Sequence, residues 1–382
     1  MVKFYIQNES AFNFKQKTVS HPMSNMGIPT RPGSGSQSGP APHWRDGMRK
    51  LINKPEQFVE EVMEGILLAY GDRVHCLDAE KRVLVRANPA PKGKVGIVTA
   101  GGSGHLPVFL GYVGEGLLDG CTVGNVFASP SANKMAETIK ACDFGSGVLC
   151  LFGNYGGDRM NLELACETVE FEDVKTRKIL VKDDVASSPK ESADKRRGVA
   201  GMVYAFKIAG AAAMAMKSLD EVADLTRKAL DNTRSMGVAL SACIVPEVGK
   251  ATFHIEENQI EVGMGIHGEP GIEVRPIMTA DEVAQTLLDK LMADMPLSRG
   301  DEVSVMVNGL GATPLEEMLI VYRKVALLLR EKGISIYMPH IGEFATSMEM
   351  AGLSLTIMRL DAELKELLRA PASTPFYTNY NK

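Results

Sequence analysis

Residues 263–271 read Gly-Met-Gly-Ile-His-Gly-Glu-Pro-Gly, so a lone imidazole, His267, sits among four glycines. Glycines leave a backbone free to bend and let a small ligand come close. The pattern predicts an imidazole on a sharply turned or mobile segment rather than in a packed core, which suits contact with a substrate. Two further glycine-rich loops, Gly101-Gly-Ser-Gly-His105 and Gly153-Asn-Tyr-Gly-Gly-Asp158, add a second histidine and a carboxylate. Together His267, His105 and Asp158 make a usable set for nucleophilic and acid–base chemistry. Each also has a plainer reading. The first loop could be a tight strand-to-helix turn, although its backbone N–H groups could equally cradle a small polar ligand. Asp158 could simply cap a helix N-terminus. A metal at His267 would need further ligands that the spacing does not specify. Neither a phosphate-binding Gly-Lys-Ser/Thr loop nor a full dinucleotide fingerprint is present. His21, His43, His75, His254 and His340 read as solvent or surface residues, and Arg196-Arg197 as an anion contact at a helix start or a surface basic pair.

These loops need elements to hold them. Val95–Ala100 and Gly147–Phe152 are short apolar runs that end in the first and second loops. The apolar positions of Phe58–Tyr70 share one helical face behind Pro55. A helix carrying Met160, Leu162, Leu164 and Ala165 follows Asp158, and Lys178–Lys182 reads as a strand. Residues 199–216 read as a buried core helix interrupted by Lys207. Ser218-x-x-Glu221, Thr279-x-x-Glu282 and Thr313-Pro-x-Glu316 fit capping boxes, and Gly333 fits a helix end. Strands are expected at Val238–Val245, Glu302–Val307, Ile334–Met338 and Leu353–Met358, with a hairpin over Thr252–Val262 turning near Glu257-Asn258. Alternating strands and helices predict an α/β fold: two α/β domains with mixed, largely parallel sheets flanked by helices. The ligand crevice then lies beyond the carboxyl ends of the strands. The expected division is a disordered extension over 1–45, a first α/β domain over 46–232, a second over 233–365, and a tail over 366–382 that returns toward the first domain. The Pro, Gly and Ser of Pro29–Pro42 cannot bury enough apolar surface to order themselves, and Met48 is an alternative start.

The 382 residues carry a net charge of −5 with mixed signs, which gives no electrostatic case for nucleic acid or an anionic membrane. No apolar run has membrane-spanning length, and no secretion signal opens the chain. Six cysteines without a paired framework read as reduced, buried thiols of a cytoplasmic protein.

The motifs, taken in order, resemble those of the substrate-binding subunit of dihydroxyacetone (glycerone) kinases. The resemblance runs from about Met48 to Phe376 and rests on Gly101–His105, Gly111–Asp119, Val126–Ser131, Asn154–Asn161, Arg196–Gly201, Asn232–Ser241 and Gly263–Gly271. It implies a homodimer of two-domain subunits. It implies that His267 adds to a ketone carbonyl as a covalent hemiaminal, and that His105 and Asp158 engage the substrate hydroxyls, one of them as base. Gly102, Ser103 and Gly104 are expected to line the same pocket. No cofactor or metal is expected on this chain; ADP or ATP with Mg²⁺ would sit on a separate nucleotide-binding subunit, recharged in the ADP case by a phosphohistidine carrier of the phosphoenolpyruvate system. Two positions depart from the family pattern: Leu106 stands where a Glu is usual, and Gly153 where a substrate-contacting Lys is frequent. Extra room at Gly153 would admit a four-carbon ketose such as erythrulose. Dihydroxyacetone remains the first expectation, with a tetrulose kinase subunit and a non-catalytic ketose-sensing co-activator as alternatives. A lipid-binding protein of related architecture would instead need a long apolar tunnel, against which the polar loops argue.

Overall fold

The computed structural model describes residues 49–380, so the extension expected over 1–45 lies outside the described residues. Helix α1 (Phe58–Tyr70) follows a short 3-10 turn at Pro55–Gln57 and buries Val59, Met63 and Ile66. The first sheet comprises β1 (Val74–Cys76), β2 (Val83–Arg86), β3 (Gly96–Gly102), β4 (Gly120–Gly124), β5 (Val148–Gly153) and β6 (Thr176–Val181), in the order β1-β2-β4-β3-β5-β6. β4, β3, β5 and β6 run parallel, while β1 and β2 join antiparallel at one edge. Helices α2 (Ala132–Ala141) and α3 (Gly156–Glu170) bury Met135, Ile139, Leu162 and Val169 against one face. β3 and β5 are neighbours, so the loops leaving their carboxyl ends emerge side by side.

The second sheet holds β7 (Thr233–Ala239), β8 (Gln259–Val262), β9 (Glu273–Pro276), β10 (Glu302–Gly309), β11 (Ser335–Ile336), β12 (His340–Gly342) and β13 (Gly352–Leu360). Its order is β11-β10-β13-β7-β8-β9, with β12 also on β10. Here antiparallel pairs dominate, so the parallel pairing expected from the sequence is concentrated in the first sheet. Helices α6 (Ala280–Asp294) and α7 (Leu315–Glu331) cover one face through Leu287, Leu291, Val321 and Val325. Both expected capping boxes at Ser218 and Thr279 form. The third does not: Pro314 is the N-cap of α7, and the Thr313 hydroxyl instead donates to the Gly352 carbonyl at 2.6 Å. The strand expected at 238–245 is shifted, because residues beyond Ala239 leave the sheet. β8 pairs with β9 across residues 263–272 rather than closing a hairpin at Glu257-Asn258, so the His267 loop is itself the hairpin connection.

Helix α4 (Gly201–Met214) packs against both sheets and is buried from Gly201 to Ala213, which explains why its sequence is apolar all round. Helix α5 (Leu219–Asp231) lies beside it, and α8 (Ala362–Arg369) covers its far end. The segment after α8 returns to the first sheet's side: Glu115 bridges Ser373, and the Thr374 hydroxyl donates to the Gly111 carbonyl at 2.9 Å. Residues 49–380 thus form one compact body, with β7 opening the second sheet directly after α5. His340 is not a surface residue. It is 8% exposed, its Nε2 lies 3.1 Å from the Tyr377 hydroxyl, and burial pushes its imidazole down to about 4. The six cysteines are unpaired and five are buried. Among the described residues no helix is long and apolar enough to cross a membrane.

Lys207, inside α4, is also buried and donates to the Leu367 carbonyl at 2.7 Å. Burial pushes its ammonium from 10.5 down to about 7. The unfolded chain keeps that proton up to about 10.5 while the folded chain releases it near 7, so the unfolded state binds more protons between the two. Stability therefore rises with pH across that window, by about 1.4 kcal/mol per pH unit from this group. Lys207→Met is expected to remove that slope in urea unfolding compared at about pH 7.5 and 9.5. An unchanged slope would assign the charge a solvated position.

Candidate active site

Each glycine-rich loop places one reactive group. β3 ends at Gly102 and turns through a 3-10 segment, Ser103–His105. β5 ends at Gly153, and α3 begins at Gly156 with Tyr155 as N-cap. Asp158 is therefore not the cap but a residue of the first helical turn, and its side chain faces a cleft. The third group, His267, comes from the β8–β9 connection of the second sheet. The cleft between these loops has a volume of about 220 Å³ and is lined by Gly102, Phe127, Ser129, Tyr155, Asp158 and His267, among others. That is below the range of drug-sized pockets and suits a small polar metabolite.

The three predicted reactive residues come together. The His105 and His267 rings meet edge to face with centroids 4.7 Å apart. His105 is fully buried and stacks on Phe127 at 4.8 Å. Its Nδ1 lies 2.7 Å from the Thr346 carbonyl, an acceptor, so Nδ1 carries the proton and Nε2 keeps a lone pair. That Nε2 has no partner. Burial, helped by the nearby His267, pushes the His105 imidazole down to about 3 against the opposing pull of the Thr346 carbonyl. The ring is thus neutral, and it sits behind His267 without itself lining the cleft. Burial raises the Asp158 carboxyl above the usual range, a hydrogen bond from Ser129 and the charge of His267 opposing, and its Oδ1 has no partner. A buried acceptor without a donor is costly unless a ligand supplies one.

His267 is held from behind. Its Nδ1 lies 3.0 Å from Glu269 Oε1, and its backbone N–H donates to Oε2 at 3.0 Å. Burial alone would raise the Glu269 carboxyl, but the hydrogen bond from His267 and the charges of His267 and Arg197 draw it down to about 2. With a carboxylate on Nδ1, the proton sits there and Nε2 presents its lone pair toward the cleft. A nitrogen so presented is a nucleophile for an electron-poor carbon. A single segment between β12 and β13 sets both rings: Thr346 and Met348 bond the first loop at the His105 and Gly104 carbonyls, while the Ser347 hydroxyl donates to the Ile266 carbonyl.

Of the expected pocket glycines, only Gly102 lines the cleft. Ser103 keeps a buried hydroxyl without a partner, and Gly104 holds the turn through Val126 at 2.8 Å. The extra room expected at Gly153 is filled. A Cβ there would lie 2.9 Å from the Tyr155 ring, which packs over the glycine and meets His267 edge-on at 4.7 Å. Nor are the two arginines an anion site or a surface pair: Arg196 ion-pairs with Asp294 at 2.5 Å, and Arg197 with Asp184 at 2.9 Å. Tyr155, Phe127, Ser129 and Glu269 were missed by the sequence reading. Each left a signal: Glu269 lies two residues after His267 in the same glycine loop, Tyr155 lies in the Gly153–Asp158 loop, and Phe127 and Ser129 lie in the Val126–Ser131 stretch. Among the described residues no three His, Cys, Asp or Glu side chains cluster as metal ligands.

The Dak1 domain model matches residues 64–376. The chain is 44% identical over 330 residues to the dihydroxyacetone-binding subunit DhaK of PTS-dependent dihydroxyacetone kinase 2 of Listeria innocua, covering 86% of this chain and 99% of that protein. It is 42% identical over 334 residues to the L-erythrulose kinase of Pectobacterium atrosepticum, covering 86% of this chain but 56% of that protein. Among solved structures, the dihydroxyacetone kinase of C. freundii aligns with a TM-score of 0.79 at 32% identity over 87% of this chain, which spans 60% of that one. The dihydroxyacetone kinase operon co-activator Dha-DhaQ aligns with a TM-score of 0.79 at 30% identity over 84% of this chain and 98% of its own.

Proposed function

The chain belongs to the Dak1 domain family and is a substrate-binding subunit of a dihydroxyacetone kinase, and from that premise we propose that His267 captures a short ketose covalently while Asp158 and His105 ready its hydroxyl for phosphorylation. The observation that carries the reading is the Nδ1 contact of His267 with Glu269, which leaves Nε2 free at a cleft that also holds a carboxylate with one oxygen, Asp158 Oδ1, unpartnered. The Nε2 lone pair forms the C–N bond, and the carbonyl π pair moves onto oxygen. That oxygen takes one proton from solvent, and the imidazole releases its Nδ1 proton to solvent, since the Glu269 carboxylate, drawn down to about 2, does not keep it. The sum is addition of N–H across C=O, so no co-reactant is consumed. An alcohol carbon offers nothing to attack, which separates a ketose from glycerol of nearly equal size. Asp158, its proton affinity raised by burial, then accepts the proton of a substrate hydroxyl as that oxygen attacks phosphorus.

The phosphoryl donor is assigned to a partner. The relatives spanned almost end to end by this chain are named as dihydroxyacetone-binding subunits of PTS-dependent kinases. That supports ADP or ATP with Mg²⁺ on a separate nucleotide-binding subunit, with a phosphohistidine carrier recharging the ADP. The resemblance supports a homodimer, which sedimentation equilibrium would test. Six unpaired thiols support a reducing, cytoplasmic compartment.

Intact mass of the protein soaked with dihydroxyacetone, erythrulose or glycerol tests capture, and phosphate transfer with the purified nucleotide-binding subunit tests turnover. Adducts with ketoses but not with glycerol are expected. Adduct without transfer would favour the sensing co-activator, a reading that the near-complete span of Dha-DhaQ keeps in view. Erythrulose is the second candidate substrate, given the 42% identity to erythrulose kinases. Gly153→Ala probes the choice: the new methyl would press the Tyr155 ring toward His267. Capture of erythrulose should fall about tenfold more than capture of dihydroxyacetone, the scale of one methylene in a fitted pocket. Equal losses would place the extra carbon away from Tyr155.

A further inference from the structure

Three charged residues stand in line behind His267, and they come from two parts of the fold. Glu269 shares the hairpin loop with His267. Arg197 and Asp184 belong to the segment between β6 and α4. Glu269 Oε2, which accepts the His267 backbone N–H, also faces the Arg197 guanidinium at 3.6 Å. That guanidinium donates from Nε to Asp184 Oδ2 at 3.0 Å and from Nη2 to the Gly263 carbonyl, in the hairpin loop, at 3.3 Å. Its own backbone is pinned: the N–H donates to Ser187 Oγ at 2.9 Å, and the carbonyl accepts from the Asp184 N–H at 3.1 Å. The side chains of Arg197 and Asp184 are 13% and 4% exposed, so water screens this contact poorly. Gly265 leaves room for both: a Cβ there would lie 2.1 Å from Glu269 Oε2 and 2.3 Å from Arg197 Nη1, so the two side-chain ends would have to shift.

We propose that Arg197 is a positioning residue for ketose capture: by joining Glu269 to Asp184 it fixes the carboxylate that orients His267, and it ties the hairpin loop of the second sheet to the first. The inference rests on capture at His267 as proposed above. A planar guanidinium with five donors can serve two carboxylates and a carbonyl together, whereas one ammonium cannot. Without a cation, Glu269 and Asp184 would repel and Glu269 would be free to turn away from Nδ1, so Nε2 would present its lone pair only part of the time. The charge balance changes as well. The groups facing His267 are His105 and Asp158 from the strand-end loops, Tyr155 beside them and Glu269 on its own loop, with Arg197 and Asp184 behind. Removing the guanidinium leaves three carboxyl groups around an imidazole with no fixed positive partner. An imidazole in such a field keeps a proton to higher pH, and only the neutral ring attacks a carbonyl.

The experiment titrates full-length wild type, Arg197→Met and Arg197→Lys with dihydroxyacetone across pH and reads the adduct by intact mass, with melting temperature as a fold check. Arg197→Met should weaken capture about tenfold, the size typical of a supporting partner one step removed from the reacting group, and move the acid limb to higher pH. Arg197→Lys should restore the acid limb but leave capture weakened. A merely structural arginine would lower the melting temperature and leave the acid limb in place. A folded Arg197→Met with wild-type affinity and acid limb overturns the proposal. Should Arg197→Met not fold, Arg197→Lys decides, and wild-type affinity in that variant overturns it. Failure of the wild type itself to form an adduct would instead overturn capture at His267.

Discussion

His267→Ala should abolish the ketose adduct and lower phosphoryl transfer to dihydroxyacetone by roughly 10³-fold or more, in keeping with what fixing reactants in register contributes. The substitution removes the nucleophile and little else. Glu269 keeps the backbone N–H at position 267 and its contact with Arg197, so the loop retains its anchors. Selectivity should collapse with the rate. Without a covalent trap a ketose and glycerol differ only by hydrogen bonds, so their relative rates should converge. The decisive readings are intact mass after soaking and phosphate transfer with the nucleotide-binding subunit. A variant that phosphorylates dihydroxyacetone at full rate with unchanged preference over glycerol would remove the basis of the mechanism.

Asp158→Asn should separate capture from transfer. The amide keeps the shape of the carboxylate but cannot take a proton, so the adduct should form while transfer falls about 10²- to 10⁴-fold, the range for loss of a positioned base. Stability should move the other way. The unfolded Asp158 carboxyl releases its proton near 3.8, and the folded one at a higher pH because burial raises it. Between these values the folded state binds more protons, so this group lowers stability as pH rises through the window, and the loss persists at neutral pH. Asp158→Asn removes that loss and should melt higher than wild type at pH 7, as expected when function keeps a costly group in place. A variant with intact transfer would move the base to His105. One with lower stability would mean that the hydrogen bond from Ser129 outweighs the cost of burying the carboxylate.

Much of this was legible in the residues. The strands into Gly102 and Gly153 were visible as short apolar runs, and parallel neighbours bring their loops together. What the sequence could not convey was contact between distant segments. His105 depends on Thr346 and His267 on Arg197, separations that no local spacing encodes. The turn at Glu257-Asn258 resembles a hairpin tip in sequence, whereas the partner of β8 lies beyond His267. His340 reads as a surface residue in sequence because its stacking partner, Tyr377, comes from the returning tail. The glycine at position 153 suggests a vacancy in sequence, but a ring two residues on occupies the space.

The link between β12 and β13 has a dynamic consequence. Ala345–Met348 is the common abutment of both imidazole loops, so thermal opening of that link would release the two rings as one event rather than separately. In native-state hydrogen exchange, the Thr346, Ser347 and Met348 amides should then exchange with a shared opening free energy, and a bound ketose should slow all three by a common factor.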